Sequence, residues 1–152
     1  MKNPLASETS TNLGILVARL ALGVSMLMAG YSHFSGLGGV KAFALSNAVV
    51  NTPRWMPGEA ASAYSQCLPF MEVAAGGMLV CGLTTRVGGL LAAVITGVIL
   101  SAHGLHLPPH AEEHLTVYLA TAILLLCLGG GKLTLDSLLF KKKKPEGPSG
   151  GH

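Results

Sequence analysis

Four long apolar segments dominate the chain, at residues 13–34, 66–83, 87–105 and 110–128. A helix needs about 20 apolar residues to cross a bilayer, within a range of about 17–25. The first segment reaches this length alone, whereas the second and fourth reach it only when their polar ends are included. The pattern predicts an all-α protein with four membrane-spanning helices.

Short connections and small residues indicate that these helices form a bundle. Only residues 84–86 join the second and third segments, which predicts a tight antiparallel hairpin. Small residues cluster at 74–77 in the second segment, and they recur at four-residue spacing in the third as Gly89, Ala93 and Gly97. Small side chains let helix backbones approach closely in lipid. The predicted fold class is therefore a membrane four-helix bundle.

The remaining segments are shorter and carry turn signals. The connection over residues 35–65 is long for a loop without secondary structure. Glycines at 36–39 and turn residues at 53–58 bracket residues 40–50, which predicts a short helix on the surface. Gly129, Gly130 and Gly131 end the fourth helix, and residues 133–140 predict a brief helix against the membrane.

Composition supports lipid as the solvent of this chain. Its 152 residues are 50% hydrophobic and only 11% charged, with a mean hydropathy of +0.54, whereas soluble domains carry about 25% charged residues. The net charge of +3 comes largely from lysines at 141–144, which makes nucleic acid a poor candidate partner. Those lysines either face anionic headgroups, at about 1 kcal/mol each, or belong to a solvated tail.

Lysine and arginine positions predict the orientation in the membrane. Lys2, Arg86, Lys132 and the tail lysines would share one side, and only Lys41 and Arg54 would lie on the other. Because cytoplasmic loops are enriched in these residues, both termini are predicted to be cytoplasmic. The predicted organisation is an N-terminal cytoplasmic segment at 1–12, a membrane domain at 13–140 and a basic, disordered tail at 141–152.

Two charged residues, Arg19 and Glu72, interrupt the apolar segments. A charge near the centre of a spanning helix costs roughly 2.5–3.5 kcal/mol on insertion scales, so each requires a partner or a function. Counting residues places Arg19 near the cytoplasmic edge and Glu72 near the outer edge, and a direct salt bridge would need tilted helices. Arg19 either reaches the headgroups with its long side chain or has a buried partner.

Glu72 is accompanied at its predicted depth by other polar residues near the outer helix ends. The resulting group contains His33, Glu72, His103, Glu113 and His114. Histidine can donate to a quinone oxygen, relay a proton or bind a metal. The group is therefore a candidate quinone, cofactor or metal site, and the alternative is a set of ordinary polar helix ends at the headgroups.

Two further patterns concern metals. Residues 110–114 read HAEEH and match the H-x-x-E-H pattern of one class of zinc protease, but they lie at a membrane edge without a further ligand in the expected context. His103, the deepest histidine, is the best candidate for ligating haem or chlorin. The three cysteines form no CxxC pair, and Cys81 and Cys127 are expected to be small core residues.

Several motifs together resemble the DoxX family of small four-helix membrane proteins. They are ARLALGVSMLMAG at 18–30, LPFMEVAAGGMLVCGLTTR at 68–86 and GGGKLTLDSLL at 129–139, with Glu113 before the fourth helix. The family usually has a lysine soon after the first helix, where this chain has His33. The resemblance implies a multi-pass protein of the bacterial cytoplasmic membrane. Family members include a subunit of a thiosulfate:quinone oxidoreductase and accessory components of membrane redox assemblies.

Three functions are compatible with these features. The first is an accessory, structural subunit of a respiratory, photosynthetic or other membrane redox complex, with lipid and other membrane subunits as partners. The second is a quinone-linked oxidoreductase subunit that uses the outer histidines and glutamate. The third is a small transporter or channel with Arg19 and Glu72 along its path. Whether the protein is an enzyme stays open, and quinone is a better candidate cofactor than haem or chlorin.

Overall fold

The computed structural model describes residues 4–36, 38–50, 52–103 and 109–131, and it describes side chains for 9–36, 38–48, 52–102 and 114–131. Within these residues the chain forms helices and no strand, as predicted. The helices are α1 (Pro4–Ser35), α2 (Gly39–Val50), α3 (Gly58–Cys81), α4 (Thr85–His103) and α5 (Pro109–Leu128). The predicted closing helix at 133–140 and the tail at 141–152 lie outside the described residues.

The start of α3 differs from the prediction. The helix begins at Gly58, about two turns before the apolar segment. Pro57 precedes it with an extended backbone, and Glu59 in the first turn complements the positive end of the helix dipole. Pro69 therefore lies in the helix interior and not in its first turn. Its missing N–H leaves one backbone bond of α3 unmade at that level.

A tight turn joins α3 to α4, as the short connection predicted. Gly82 caps α3 in the left-handed conformation, with φ of 69°, and its N–H donates to the Met78 carbonyl. Thr84 also has a positive φ, of 47°, which is uncommon for a residue with a side chain. The turn makes α3 and α4 antiparallel neighbours.

The helices pack in a definite order. α3 packs against both α1 and α4, α5 packs against α4, and α2 packs against α3, with smaller contacts of α1 to α2 and to α5. At the closest approach of α1 and α3, a Cβ atom added to Gly76 would lie 2.7 Å from the Gly23 carbonyl oxygen. Gly89 gives a similar approach of α4 to α5, whereas a Cβ on Gly97 would meet no described atom within 4 Å. The prediction of close packing is thus confirmed at Gly89 and wrong at Gly97.

The interior is filled by large apolar side chains from four helices. Leu22, Leu79, Ile95 and Leu125 are each almost fully buried. Large apolar side chains also cover the outward surfaces of α1, α4 and α5, among them Val17, Met28, Leu90, Val94 and Val117. Cys81 and Cys127 are exposed, so the expectation that they are core residues is wrong, because they lie on outward helix faces.

Two helices of the described chain are long and apolar enough to cross a membrane, at Thr9–Ser35 and Thr85–Ala102. A shorter apolar stretch covers His114–Leu128. In α3, Gln66, Pro69 and Glu72 lower the hydropathy of an otherwise apolar helix.

Candidate functional site

Arg19 is buried at the end of the bundle where α3 and α5 terminate. Its position on α1 continues the inward stripe of Ile15, Leu22 and Met26, whose spacing follows the helical repeat. Only 3% of the residue is exposed. The guanidinium Nη1 donates to the Gly130 carbonyl at 3.4 Å. Arg19 therefore has partners inside the protein and does not extend to the headgroups.

Helix ends make this location favourable for a cation. α3 ends at Cys81 and α5 at Leu128, and helix C-termini carry partial negative charge and carbonyl groups without helical partners. Gly82 leaves room for the guanidinium, because a Cβ there would lie 2.6 Å from Nη1 of Arg19. Backbone groups at the ends of α3 and α5 thus contribute to stabilising the charge of Arg19.

Glu72 lies well away from Arg19 and contacts His33. Glu72 is 5% exposed, and its Oε2 atom lies 3.3 Å from Nε2 of His33. This distance is that of an ion pair, but the geometry is not that of an aligned hydrogen bond. The imidazole of His33 also stacks on the Phe43 ring of α2, with centroids 3.7 Å apart and planes at 22°. We call His33, Phe43 and Glu72 the His33 cluster.

The His33 cluster adjoins an open cleft between the end of α1 and α2. The cleft has a volume of about 350 Å³. It is lined by Ser32, His33, Gly36, Gly39, Ala42, Phe43 and Ser46. Glu72 is not among the lining residues, so the His33 imidazole lies between the cleft and the buried carboxyl group.

A buried hydrogen bond holds α2 beside this cluster. Asn47 Nδ2 donates to Ser65 Oγ of α3 at 3.0 Å, and both residues are almost fully buried. The sequence reading missed Asn47 and Phe43, because it placed residues 40–50 on the surface as an isolated helix. An amide and an aromatic ring within an otherwise apolar helix were the available signals that this helix has an inward face.

The other members of the predicted outer group are not brought to the cluster by any described contact. His103 is the last residue of α4, and its side chain lies outside the described residues, as does that of Glu113. His114 of α5 is exposed. The HAEEH pattern lies mostly outside the described side chains. Among the residues that are described, no group of three or more His, Cys, Asp and Glu could hold a metal ion.

The comparison with known families agrees with the motifs and the helical structure. The DoxX family model matches residues 14–104, which include Arg19, the His33 cluster and the α3–α4 turn. Searches of curated proteins and of solved structures each found no significant match. Since the matched region covers more than half of the sequence, the chain belongs to the DoxX family.

Proposed function

We propose that this protein is an accessory subunit of a membrane redox complex in the bacterial cytoplasmic membrane, with a structural role. It crosses the membrane four times, through α1, α3, α4 and α5, and both termini are cytoplasmic. The family resemblance supports the redox setting, because DoxX proteins include accessory components of membrane redox assemblies.

The packing of the helices supports four membrane crossings, although only two helices of the described chain are by themselves long and apolar enough to span a bilayer. α3 lies against both α1 and α4, and α5 lies against α4. If α1 and α4 cross the bilayer, α3 and α5 run beside them through the same depth. Glu72 is then shielded from lipid by neighbouring helices, as spanning helices with ionisable residues require.

The enclosure of Arg19 is the observation that carries the structural role. A cation that lined a transport path would face an opening, whereas Arg19 is bound to backbone at the ends of α3 and α5. The fully buried Leu22, Leu79 and Leu125 fill the space between the helices. The charge therefore acts as a clamp within a packed bundle, which favours an accessory subunit over a transporter or channel.

Two experiments test this proposal. Purification from native membranes in mild detergent, followed by mass spectrometry, should recover subunits of a redox enzyme in fixed ratio with this chain. Recovery of the chain alone under conditions that keep known membrane complexes intact would contradict the accessory role. For topology, Ser149→Cys is introduced after the exposed Cys67, Cys81 and Cys127 have been replaced by alanine. This variant should react with an impermeant maleimide only after the cytoplasmic side is opened, and labelling in intact cells would refute cytoplasmic termini.

A second candidate function rests on the cleft beside His33. A histidine at the wall of a cleft near the membrane surface can donate a hydrogen bond to a quinone oxygen, and the imidazole of His33 is placed to do so. The resemblance to a quinone-linked oxidoreductase subunit supports this reading. Quinone analysis of the purified protein tests it. Bound quinone that is lost in His33→Ala would support the candidate, and equal quinone content in both proteins would exclude it.

A further inference from the structure

We propose that His33 and Glu72 together form a proton-binding site that opens through the α1–α2 cleft. The site takes up a proton from the surface at the α2 end of the bundle and shares it between imidazole and carboxyl group. Such a site needs no redox partner and no quinone, and it is compatible with either function proposed above.

The first support is the location of the carboxyl group. Glu72 lies within α3, shielded from solvent, and its Oε2 has no aligned hydrogen-bond donor among the described residues. An ionised carboxylate that is isolated in an apolar interior is strongly disfavoured. Glu72 must therefore bind a proton or lie beside a cation, and the side chain within reach is that of His33 at 3.3 Å.

The second support is the position of His33 between Glu72 and the surface. One edge of the imidazole faces Glu72, and the side chain also lines the cleft. Stacking on Phe43 fixes the plane of the ring. A histidine in this position can exchange a proton with water in the cleft on one side and with the carboxyl group on the other.

Among the side chains that the structure describes, no other charged group is placed to neutralise this pair. Arg19 is on the same helix as His33 but about 21 Å away along its axis. On α1 and α2, Tyr31 and Lys41 are exposed, and each lies two residues from a cluster member, which turns it to a different side of its helix.

The groups on α3 and α4 lead to the same conclusion. Tyr64 is about two turns from Glu72 on α3, and its hydroxyl donates to the Ile95 carbonyl of α4 at 3.4 Å. Glu59 at the start of α3 and Arg86 at the start of α4 are exposed. The proton is consequently shared by His33 and Glu72 within the described part of the chain.

Carbodiimide labelling tests the site, because these reagents react with protonated carboxyl groups. Purified full-length protein in mild detergent is treated with dicyclohexylcarbodiimide over a range of pH, and peptide mass spectrometry locates the adduct. We expect Glu72 to be labelled at acidic pH and protected at alkaline pH. Glu72→Gln should lose the adduct. Labelling of Glu72 that does not change with pH would overturn the proposal.

The role of His33 is tested with two substitutions of His33 and with a control substitution at a nearby residue of α1. His33→Phe keeps a ring to stack on Phe43 but cannot hold a proton, and His33→Gln keeps a donor with the same deficiency. In either variant Glu72 loses its cationic partner. We therefore expect Glu72 in both variants to be labelled at alkaline pH at least about tenfold faster than in the unmodified protein. Tyr31→Phe is the matched control and should leave the rate unchanged. Equal rates in the unmodified protein and both folded variants would contradict a shared proton.

The cleft as the entrance is tested with a water-soluble carbodiimide. Ser46 lines the cleft, whereas the adjacent Leu45 is 76% exposed and does not. Ser46→Trp should slow labelling of Glu72 by the water-soluble reagent several-fold, and Leu45→Trp should not. Labelling by the apolar reagent should be the same in both variants. If Ser46→Trp had no effect with the water-soluble reagent, access through the cleft would be refuted.

Discussion

Among the described residues, two charged side chains are buried, that of Arg19 in the middle of α1 and that of Glu72 in α3 beside the end of α1, and they are stabilised in different ways. Arg19 is enclosed by backbone at the ends of α3 and α5. Glu72 contacts a histidine side chain that borders an open cleft. Backbone carbonyls have fixed dipoles, whereas an imidazole gains and loses a proton near neutral pH. The first arrangement holds helices together, and the second can respond to its surroundings.

The largest expected effect of a single substitution is at Arg19. Arg19→Met should destabilise the bundle by about 2–3 kcal/mol, because the charge-assisted hydrogen bond to the Gly130 carbonyl is lost from the interior of the bundle. Thermal unfolding in mild detergent measures the change. Arg54→Met is the control, since Arg54 is exposed, and it should change stability by less than about 0.5 kcal/mol. Equal effects of the two substitutions would show that Arg19 is not a clamp.

Two adjacent glycines of α3 allow a comparison between a helix face that is packed and one that is open. Gly76→Ala should destabilise by about 1–3 kcal/mol, because the new Cβ would lie 2.7 Å from the Gly23 carbonyl oxygen and 2.8 Å from the Leu27 backbone nitrogen. Gly77→Ala would meet nothing within 4 Å, so it should stabilise by about 0.5–1 kcal/mol through helix propensity. Unfolding of the two variants side by side is the measurement. If Gly76→Ala and Gly77→Ala were equally destabilising, the loss of stability could not be assigned to the close α1–α3 packing at Gly76.

At the other end of the molecule, Glu72 should tolerate an isosteric change better than an apolar one. Glu72→Gln keeps the shape and the ability to hydrogen-bond with His33, whereas Glu72→Leu leaves the imidazole facing an apolar side chain. We expect Glu72→Leu to be less stable than Glu72→Gln by about 1 kcal/mol. Equal stability of the unmodified protein and both variants in detergent would argue against an inward role for this residue.

A more local effect is expected where α2 is attached. Asn47→Leu would leave the buried Ser65 hydroxyl without the donor it has at 3.0 Å, at a cost of about 1–2 kcal/mol that is confined to α2. Hydrogen–deuterium exchange should therefore rise in residues 39–50 while α3 and α4 stay protected. The exposed Ser46→Ala is the control. Uniformly increased exchange across all helices would show that α2 is not a separately opening unit.

Much of the helical arrangement could be predicted from the sequence, and the reason is physical. Apolar length and tight connections determine where helices form and which are neighbours, so the α3–α4 hairpin and the break after α5 were predictable. The start of α3 at Gly58 was not, because its first two turns mix small and polar residues and contact α2 through pairs distant in sequence, such as Asn47 with Ser65.

The candidate site was only partly predictable. Counting residues placed His33 and Glu72 at similar depth, but the identity of the contacting pair depends on helix rotation, which the sequence does not specify. The partner of Arg19 was hidden for a different reason. The backbone carbonyl of Gly130 has no side-chain signature, so the sequence alone does not reveal that Arg19 binds it.

Infrared spectroscopy of the carboxyl groups tests most directly whether the His33 cluster binds a proton while the Arg19 site does not. Difference spectra between acidic and alkaline pH, recorded for the unmodified protein, Glu72→Gln and Arg19→Lys in detergent, isolate the carbonyl stretch of a buried protonated carboxyl group. We expect such a band in the unmodified protein and in Arg19→Lys, and its loss in Glu72→Gln. A spectrum for Glu72→Gln that is identical to that of the unmodified protein would contradict a protonatable site at the His33 cluster.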